Sequence, residues 1–301
     1  CWFIIFRPRH FNFMKTTTST ALTVAGFDPS GGAGLQADLK TFSAFGVSGK
    51  SVATSITIQN TAGVLGAHDI SPEIVERQLK VILEDGKPGA VKIGMLGNEL
   101  IIKTLVRLLR RYRIKKLVVD PVIYSSSGKS LLSLQGIQVM KKELLPITFL
   151  LTPNLNEAEI LSGVKIKNAS DRIRAARVLI KMGPKNVLIK GGHLKGKPQD
   201  FFFDGKHTIR LDADRLIGPD VHGTGCVLAS AITAGLVKGR DVVTSVKEAK
   251  EFIGLAIIGA VTSGKGAPEV EPLTRLYQDS ERYNMSQRVL RAVEILKNHC
   301  I

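Results

Sequence analysis

The chain has 301 residues, 44% of them hydrophobic and 23% charged, which excludes a disordered or fibrous class and suits a globular protein with a substantial core. Lys and Arg outnumber Asp and Glu by 42 to 26, a formal net charge of +16 that raises nucleic-acid binding as a function class. The densest basic run, Arg107 to Lys116, closes a helical pattern where cations complement the helix dipole. No aromatic-interleaved RNA motif and no membrane-length apolar stretch is present, so neither a nucleic acid nor a membrane is an expected partner.

In chain order, residues 1–19 open on CWFIIFRPRHFNF ahead of Met14, lack the flanks of a signal peptide, and are expected to lie outside the fold. Ala21–Gly26 reads as a buried strand, Leu35 to Phe45 as a helix and Val52–Ile58 as a strand. A helix from Ser71 to Leu83 has Ser71 as N-cap and Pro72 at its first position. The strand Ala90–Met95 precedes a helix over Glu99–Arg110, and the strand Lys116–Val122 is interrupted by Pro121. A helix over Gln135–Leu144 leads to the strand Ile147–Thr152. Helices over Asn156–Leu161 and Asp171–Met182 precede the strand Asn186–Lys190. Within Asp200–Ala213, β-rich runs flank Asp204-Gly205, a hairpin signal. Helical stretches over Cys226–Val237 and Val242–Thr262 close the unit. The alternation predicts an α/β fold, a mostly parallel central sheet with helices on both faces, as one domain over residues 20–272. Residues 273–301 form a separate amphipathic helix with Val289, Leu290, Val293 and Leu296 on one face.

Ligands of open α/β sheets bind at the carboxyl ends of strands, and the residues there are rich in glycine and polar groups. After the first strand comes Gly26-Phe-Asp-Pro-Ser-Gly-Gly-Ala-Gly34, neither a Walker A loop nor a Rossmann fingerprint, with Asp28 able to accept hydrogen bonds from a ligand. Gln59, Asn60 and Thr61 follow the second strand, where an amide suits a heterocycle edge. Met95 follows the third as an apolar wall, and Asp120 the fourth. The stretch TPNLNEAE places Asn154, Asn156, Glu157 and Glu159 at a helix start. Acids there are favoured by the dipole, and their oxygens also suit Mg²⁺ directly or through water. Lys190-Gly191-Gly192-His193 is a further glycine turn.

The cysteines are Cys1, Cys226 and Cys300, with no CxxC pair, which excludes a zinc or disulfide framework and fits a cytoplasmic location. Cys226 follows Gly223-Thr224-Gly225 at the start of a helix. Free backbone N–H groups there make an anion site, and a thiol in that first turn is expected to have a lowered pKa.

The ordered set AGFDPSGGAGLQADLKTFSAFG, QNTAGV, KIGML, DPV, LLTPNLNEAEIL, KGGH and HGTGC resembles the hydroxymethylpyrimidine and phosphomethylpyrimidine kinases of thiamine biosynthesis, of the ribokinase-like superfamily. The resemblance implies a three-layer α/β/α sandwich. It also implies phosphorylation of 4-amino-5-hydroxymethyl-2-methylpyrimidine, and then of its monophosphate, with ATP and Mg²⁺. It assigns Gly26, Asp28, Gln59 and Met95 to the pyrimidine, Lys190, Gly191, Gly192 and Thr224 to the nucleotide, and Asp120, Asn154 and Glu157 to the hydrated metal and phosphates. Gly223, Thr224 and Gly225 form the anion hole, and Cys226 stands where sugar kinases of this fold carry a catalytic Asp. A homodimer is expected, because relatives are often dimers. Two departures stand out: Phe27 where the family commonly has Thr or Ser, and Ser126 where it usually has a lysine, which leaves Lys129 to neutralise phosphate. The tail resembles the beginning of a thiamine-phosphate synthase domain fused behind this kinase in some archaea and bacteria. A pyridoxal kinase of the Gly-Cys type is the alternative enzyme, and a non-catalytic ligand sensor or nucleic-acid binder the alternative class.

Overall fold

A computed structural model describes residues 19–191, 199–212 and 220–299. Its elements are β1 (Thr20–Phe27), α1 (Gly34–Ala44), β2 (Ser48–Asn60), β3 (Gly63–Asp69), α2 (Pro72–Asp85), β4 (Ala90–Ile93), α3 (Glu99–Arg111), β5 (Leu117–Val119), α4 (Leu134–Val139), β6 (Leu150–Leu151), α5 (Leu155–Ser162), α6 (Ala169–Lys181), β7 (Asn186–Ile189), β8 (Gln199–Phe203), β9 (Thr208–Asp212), α7 (Thr224–Val237), α8 (Val242–Ile258) and α9 (Thr274–His299).

The strands form one nine-stranded sheet in the order β3-β2-β1-β4-β5-β6-β7-β8-β9. Its centre, β2 through β7, is parallel, and β3, β8 and β9 join antiparallel at the edges. Successive side chains of a strand face opposite sides, so each central strand serves two cores. Leu22, Val91, Val119 and Ile189 pack with Leu79, Leu105 and Leu179 under α2, α3 and α6. Ala21, Val118 and Leu188 pack with Phe42, Ile232 and Val246 under α1, α7 and α8. The result is a three-layer sandwich with a mostly parallel sheet. Among the described residues, no helix is long and apolar enough to cross a membrane.

Local chemistry explains most element boundaries. Ser71 accepts a hydrogen bond from the Ile74 N–H ahead of Pro72, and Asn98 caps α3 in the same way. The hairpin turns at Asp204-Gly205, where Gly205 has φ +92° and Asp204 Oδ1 accepts from the Lys206 and His207 N–H groups. Several boundaries differ from the sequence reading. Strand β3 was not expected, and it pairs with β2 through a turn at Thr61-Ala62. The helix expected over Gln135–Leu144 is α4 followed by a π turn over Met140–Leu144 and a 3-10 turn over Leu145–Ile147. That 3-10 turn, carrying Pro146, cuts the expected strand Ile147–Thr152 back to Leu150–Leu151. Helix α8 stops at Ile258, because Gly259 lies against the first residue of α9: a Cβ built on it would be 1.9 Å from Thr274 Oγ1. Residues 1–18 and Ala213 lie outside the described residues.

Phe42 has no solvent exposure and fills the core between the sheet and α7. Phe42→Ala is expected to lower unfolding free energy by about 3–5 kcal/mol in urea titration; a loss under about 1 kcal/mol would show that this core re-packs freely.

Candidate active site

Strand β1 delivers Asp28, buried at 3% exposure, just beyond its end. Asp28 Oδ1 accepts from the Ser30 N–H (2.9 Å) and Ser30 Oγ (2.7 Å), and Oδ2 accepts from the Ala33 N–H (2.8 Å). His222 Nε2 lies 3.8 Å from the same Oδ2. Burial alone would raise the Asp28 pKa, but His222 and the loop donors outweigh it and hold the carboxyl at about 2. Asp28 therefore ties its own glycine loop into shape.

That loop meets the start of α7 backbone to backbone. Gly223 has φ +90°, and a Cβ on it would lie 1.9 Å from the Gly32 carbonyl oxygen. Gly34, at φ +57°, sits against β1 in the same way, with its Cβ position 2.3 Å from the Gly26 carbonyl oxygen. Only glycine satisfies both the conformation and the approach. Thr224 begins α7, so the first N–H groups of that helix have no partner within it, and no side chain caps them.

The ends of β5, β6 and β7 bring a charged cluster to the same place. Lys190 Nζ lies 2.5 Å from Asp120 Oδ1, which also accepts from Thr152 Oγ1 at 3.2 Å. A Cβ on Gly225 would be 3.2 Å from that ammonium and 3.6 Å from Asp120 Oδ2, so anion loop and cluster are neighbours. Asn154 and Glu157 form a reciprocal capping box on α5: Asn154 Oδ1 accepts from the Glu157 N–H (2.9 Å) and Glu157 Oε2 from the Asn154 N–H (2.8 Å). Burial pushes the Glu157 carboxyl up to about 7, with Asp120 adding to the rise and Lys190 and backbone donors opposing it.

Cys226 is half-buried. Its thiol is not lowered as the helix-start argument expected. Burial raises it above the ordinary value, with Asp38 and Asp120 adding and Lys92 and the Gly34 N–H opposing. The favourable helix end is outweighed by loss of solvent.

The remaining expected residues sit on the same side of the sheet. Met95 Sδ lies 3.0 Å from the Cβ position of Gly26, so these two are in contact. Gln59 is half-buried at the end of β2, paired with Val64. Gly191 donates its N–H to Asp200 Oδ1 at 2.8 Å, while Gly192 and His193 lie outside the described residues. Asp120 is held by Lys190 and Thr152, and Asn154 and Glu157 hold each other. Among the described residues no group of at least three His, Cys, Asp or Glu is placed to hold a metal, and the Asn154 oxygen is spent on the cap. Phe27 is 42% exposed, and Lys129 donates to the Leu65 carbonyl on β3.

Sequence reasoning assigned no role to His222, although it stands inside the HGTGC motif; Ser126 Oγ reaches its Nδ1 at 3.0 Å. It also passed over Lys92 and Asp38, which form an ion pair without solvent exposure. The signal for both was present: a lysine in the apolar run AVKIGM, and an acid three residues after Leu35 on the buried face of α1.

The profile of the phosphomethylpyrimidine kinase family matches residues 28–271. The chain belongs to this family. A hydroxymethylpyrimidine/phosphomethylpyrimidine kinase of Aquifex aeolicus is 43% identical over 247 residues, covering 82% of this chain and 97% of that protein. The crystal structure of a phosphomethylpyrimidine kinase from Clostridium difficile is 42% identical, with TM-score 0.72, covering 80% of this chain and all of that one (100%). The ADP complex of Bacillus subtilis pyridoxal kinase is 34% identical, with TM-score 0.79, covering 86% of this chain and 100% of its own. Phosphomethylpyrimidine kinase membership thus accounts for the fold and for the clustering of glycine turns at one sheet edge.

Asp28 binds fewer protons folded than unfolded between its folded value of about 2 and its ordinary value of 3.8, so its contribution is full above the upper value and is lost as pH falls through the lower. Asp28→Asn is expected to flatten the acid limb of stability between pH ~4 and ~2, a contribution on the order of 2 kcal/mol. An acid limb identical to wild type in pH-dependent urea unfolding would contradict this role.

Proposed function

We propose that this chain, acting in the cytoplasm, transfers the γ-phosphoryl group of ATP to the hydroxymethyl group of 4-amino-5-hydroxymethyl-2-methylpyrimidine, and then to the phosphate of the monophosphate, for thiamine diphosphate biosynthesis. The observation that carries it is the backbone-lined anion loop of Gly223, Thr224 and Gly225, packed between Gly32 and the Lys190 ammonium in a chain of this family. In the first step the substrate hydroxyl attacks the γ-phosphorus. An O–P bond forms as the bond to the β–γ bridging oxygen breaks, and ADP leaves. The hydroxyl proton passes to Cys226 in its thiolate form, and the N–H groups of the loop hold the charge spread over the transferred phosphoryl.

Gly26, Asp28, Gln59 and Met95 surround the pyrimidine in this reading. Lys190, Gly191, Gly192 and Thr224 hold the nucleotide. Mg²⁺, when bound with the nucleotide, would supply neutralisation of phosphate charge. Asp120, whose Oδ1 serves Lys190 and Thr152, offers Oδ2 on the Gly225 side, and Asn154 and Glu157 would hold the hydrated ion through water. Residues 20–272 are the kinase unit in this reading, and α9, Thr274–His299, is a helical appendage to it. Ile56, Ile58 and Leu65, exposed on the β2–β3 hairpin at the sheet edge, support a homodimer, which sedimentation would report as twice the chain mass.

Pyridoxal is the competing acceptor, favoured by the higher TM-score to the pyridoxal kinase. The QNT turn and DPSGGAG loop, with the higher identity to phosphomethylpyrimidine kinases, favour the pyrimidine. ADP release coupled to a dehydrogenase is expected to give the highest kcat/KM with the pyrimidine or its monophosphate; a maximum with pyridoxal would overturn the reading. Cys226→Ser is expected to lower kcat by about 10²-fold or more. A near-wild-type rate would leave only the backbone anion hole.

A further inference from the structure

Lys92 stands in the middle of β4 among Ala90, Val91 and Ile93, with no solvent exposure of its side chain. Its ammonium lies 2.8 Å from Asp38 Oδ2 and 3.0 Å from Asp38 Oδ1, and Asp38 is equally enclosed. The carboxylate is completed by Thr23 Oγ1 from β1 and Ser230 Oγ from α7, each at 2.6 Å. Removing two charges from water costs more than their attraction reliably returns, and apolar residues of similar volume commonly serve stability as well or better. Stability is therefore a poor account of this pair.

Its position gives a better one. Ser230 is four residues after Cys226 on α7, hence on the same face of that helix. The pair thus meets α7 one turn after the cysteine on the face they share. The ammonium also reaches towards the active end of the sheet: a Cβ on Gly94 would be 2.8 Å from Lys92 Nζ. Four charged groups face the Cys226 sulfur, Lys92 from β4, Asp38 from α1, Asp120 beyond β5 and Lys190 beyond β7. Burial makes the thiol a reluctant acid, and Lys92 is the chief group opposing that.

We propose that Lys92 is a positioning residue for phosphoryl transfer: the enclosed Asp38–Lys92 pair is a fixed dipole under the first turn of α7, its ammonium stabilising negative charge on the Cys226 sulfur. This rests on the catalytic reading of Cys226, but its test does not use turnover. Alkylation of Cys226 by iodoacetamide, followed peptide by peptide in the folded protein across pH, reports the thiolate directly. Lys92→Met removes the cation and is expected to slow alkylation at fixed pH by at least about tenfold. Asp38→Asn removes the anion and is expected to speed it. Both variants break the same ion pair and both are expected to lower Tm, so a purely structural role moves alkylation in the same direction in each. Ser230→Ala keeps both charges, leaves Asp38 less neutralised, and is expected to slow alkylation severalfold even if the charge variants do not fold. Opposite shifts support the dipole. Same-direction shifts, or an unchanged Ser230→Ala rate, overturn it. Failure of the kinase reading would appear separately, as wild-type protein that phosphorylates no pyrimidine.

Discussion

The ion pair of Lys92 and Asp38 is the interaction on which the geometry of this protein turns. Two opposite charges are held in the interior at 2.8 Å, and each hydrogen bond that completes them comes from a different element. Strand β1 supplies Thr23, β4 supplies Lys92, α1 supplies Asp38 and α7 supplies Ser230. These elements lead respectively to the Asp28 loop, to Met95, out of that loop, and down from the anion loop. An enclosed charge left without its partner is expensive, so none of these elements can shift without breaking the set. The pair thereby fixes the mutual placement of the turns that make the site.

Above that floor, placement is finished by backbone rather than by side chains. The Gly32 carbonyl lies where a Cβ of Gly223 would be, and the Gly26 carbonyl where a Cβ of Gly34 would be. Glycine here is a spacing device: it lets the Asp28 loop, the start of α1 and the start of α7 share one small volume. The polar cluster of Asp120, Lys190 and Glu157 then closes the far side. Its buried carboxyl at about 7 and raised thiol are consequences of the same exclusion of water that strengthens charge interactions with a transferred phosphoryl.

Much of this was readable in the chain, and what was not has a physical cause. Short apolar runs ending in glycine or proline marked the strand ends, because a parallel strand covered on both faces has a plain sequence signature. That sufficed to gather Asp28, Met95, Asp120, Lys190 and Cys226 on one edge. Strand β3, GVLGAHD, was missed because most of it is half-exposed at the sheet edge, with small residues and no alternation. The cysteine's acidity was misjudged because the helix-end rule is local, whereas desolvation is set by elements far apart in sequence. The contact of Ser126 with His222 joins residues 96 apart, and no local pattern announces it. Lys92 is the instructive case: a charge inside an apolar strand is a visible anomaly, and its meaning appears only when Asp38 and Ser230 are placed around it.

The proposed reaction at this edge moves a phosphoryl group from ATP onto a pyrimidine already carrying one phosphate. The most direct measurement is ³¹P NMR of the purified protein with MgATP and the pyrimidine monophosphate. The expected result is paired loss of the monophosphate signal and growth of the coupled doublets of a pyrimidine diphosphate, with one ADP formed per diphosphate. Inorganic phosphate and ADP with the monophosphate unchanged would contradict it.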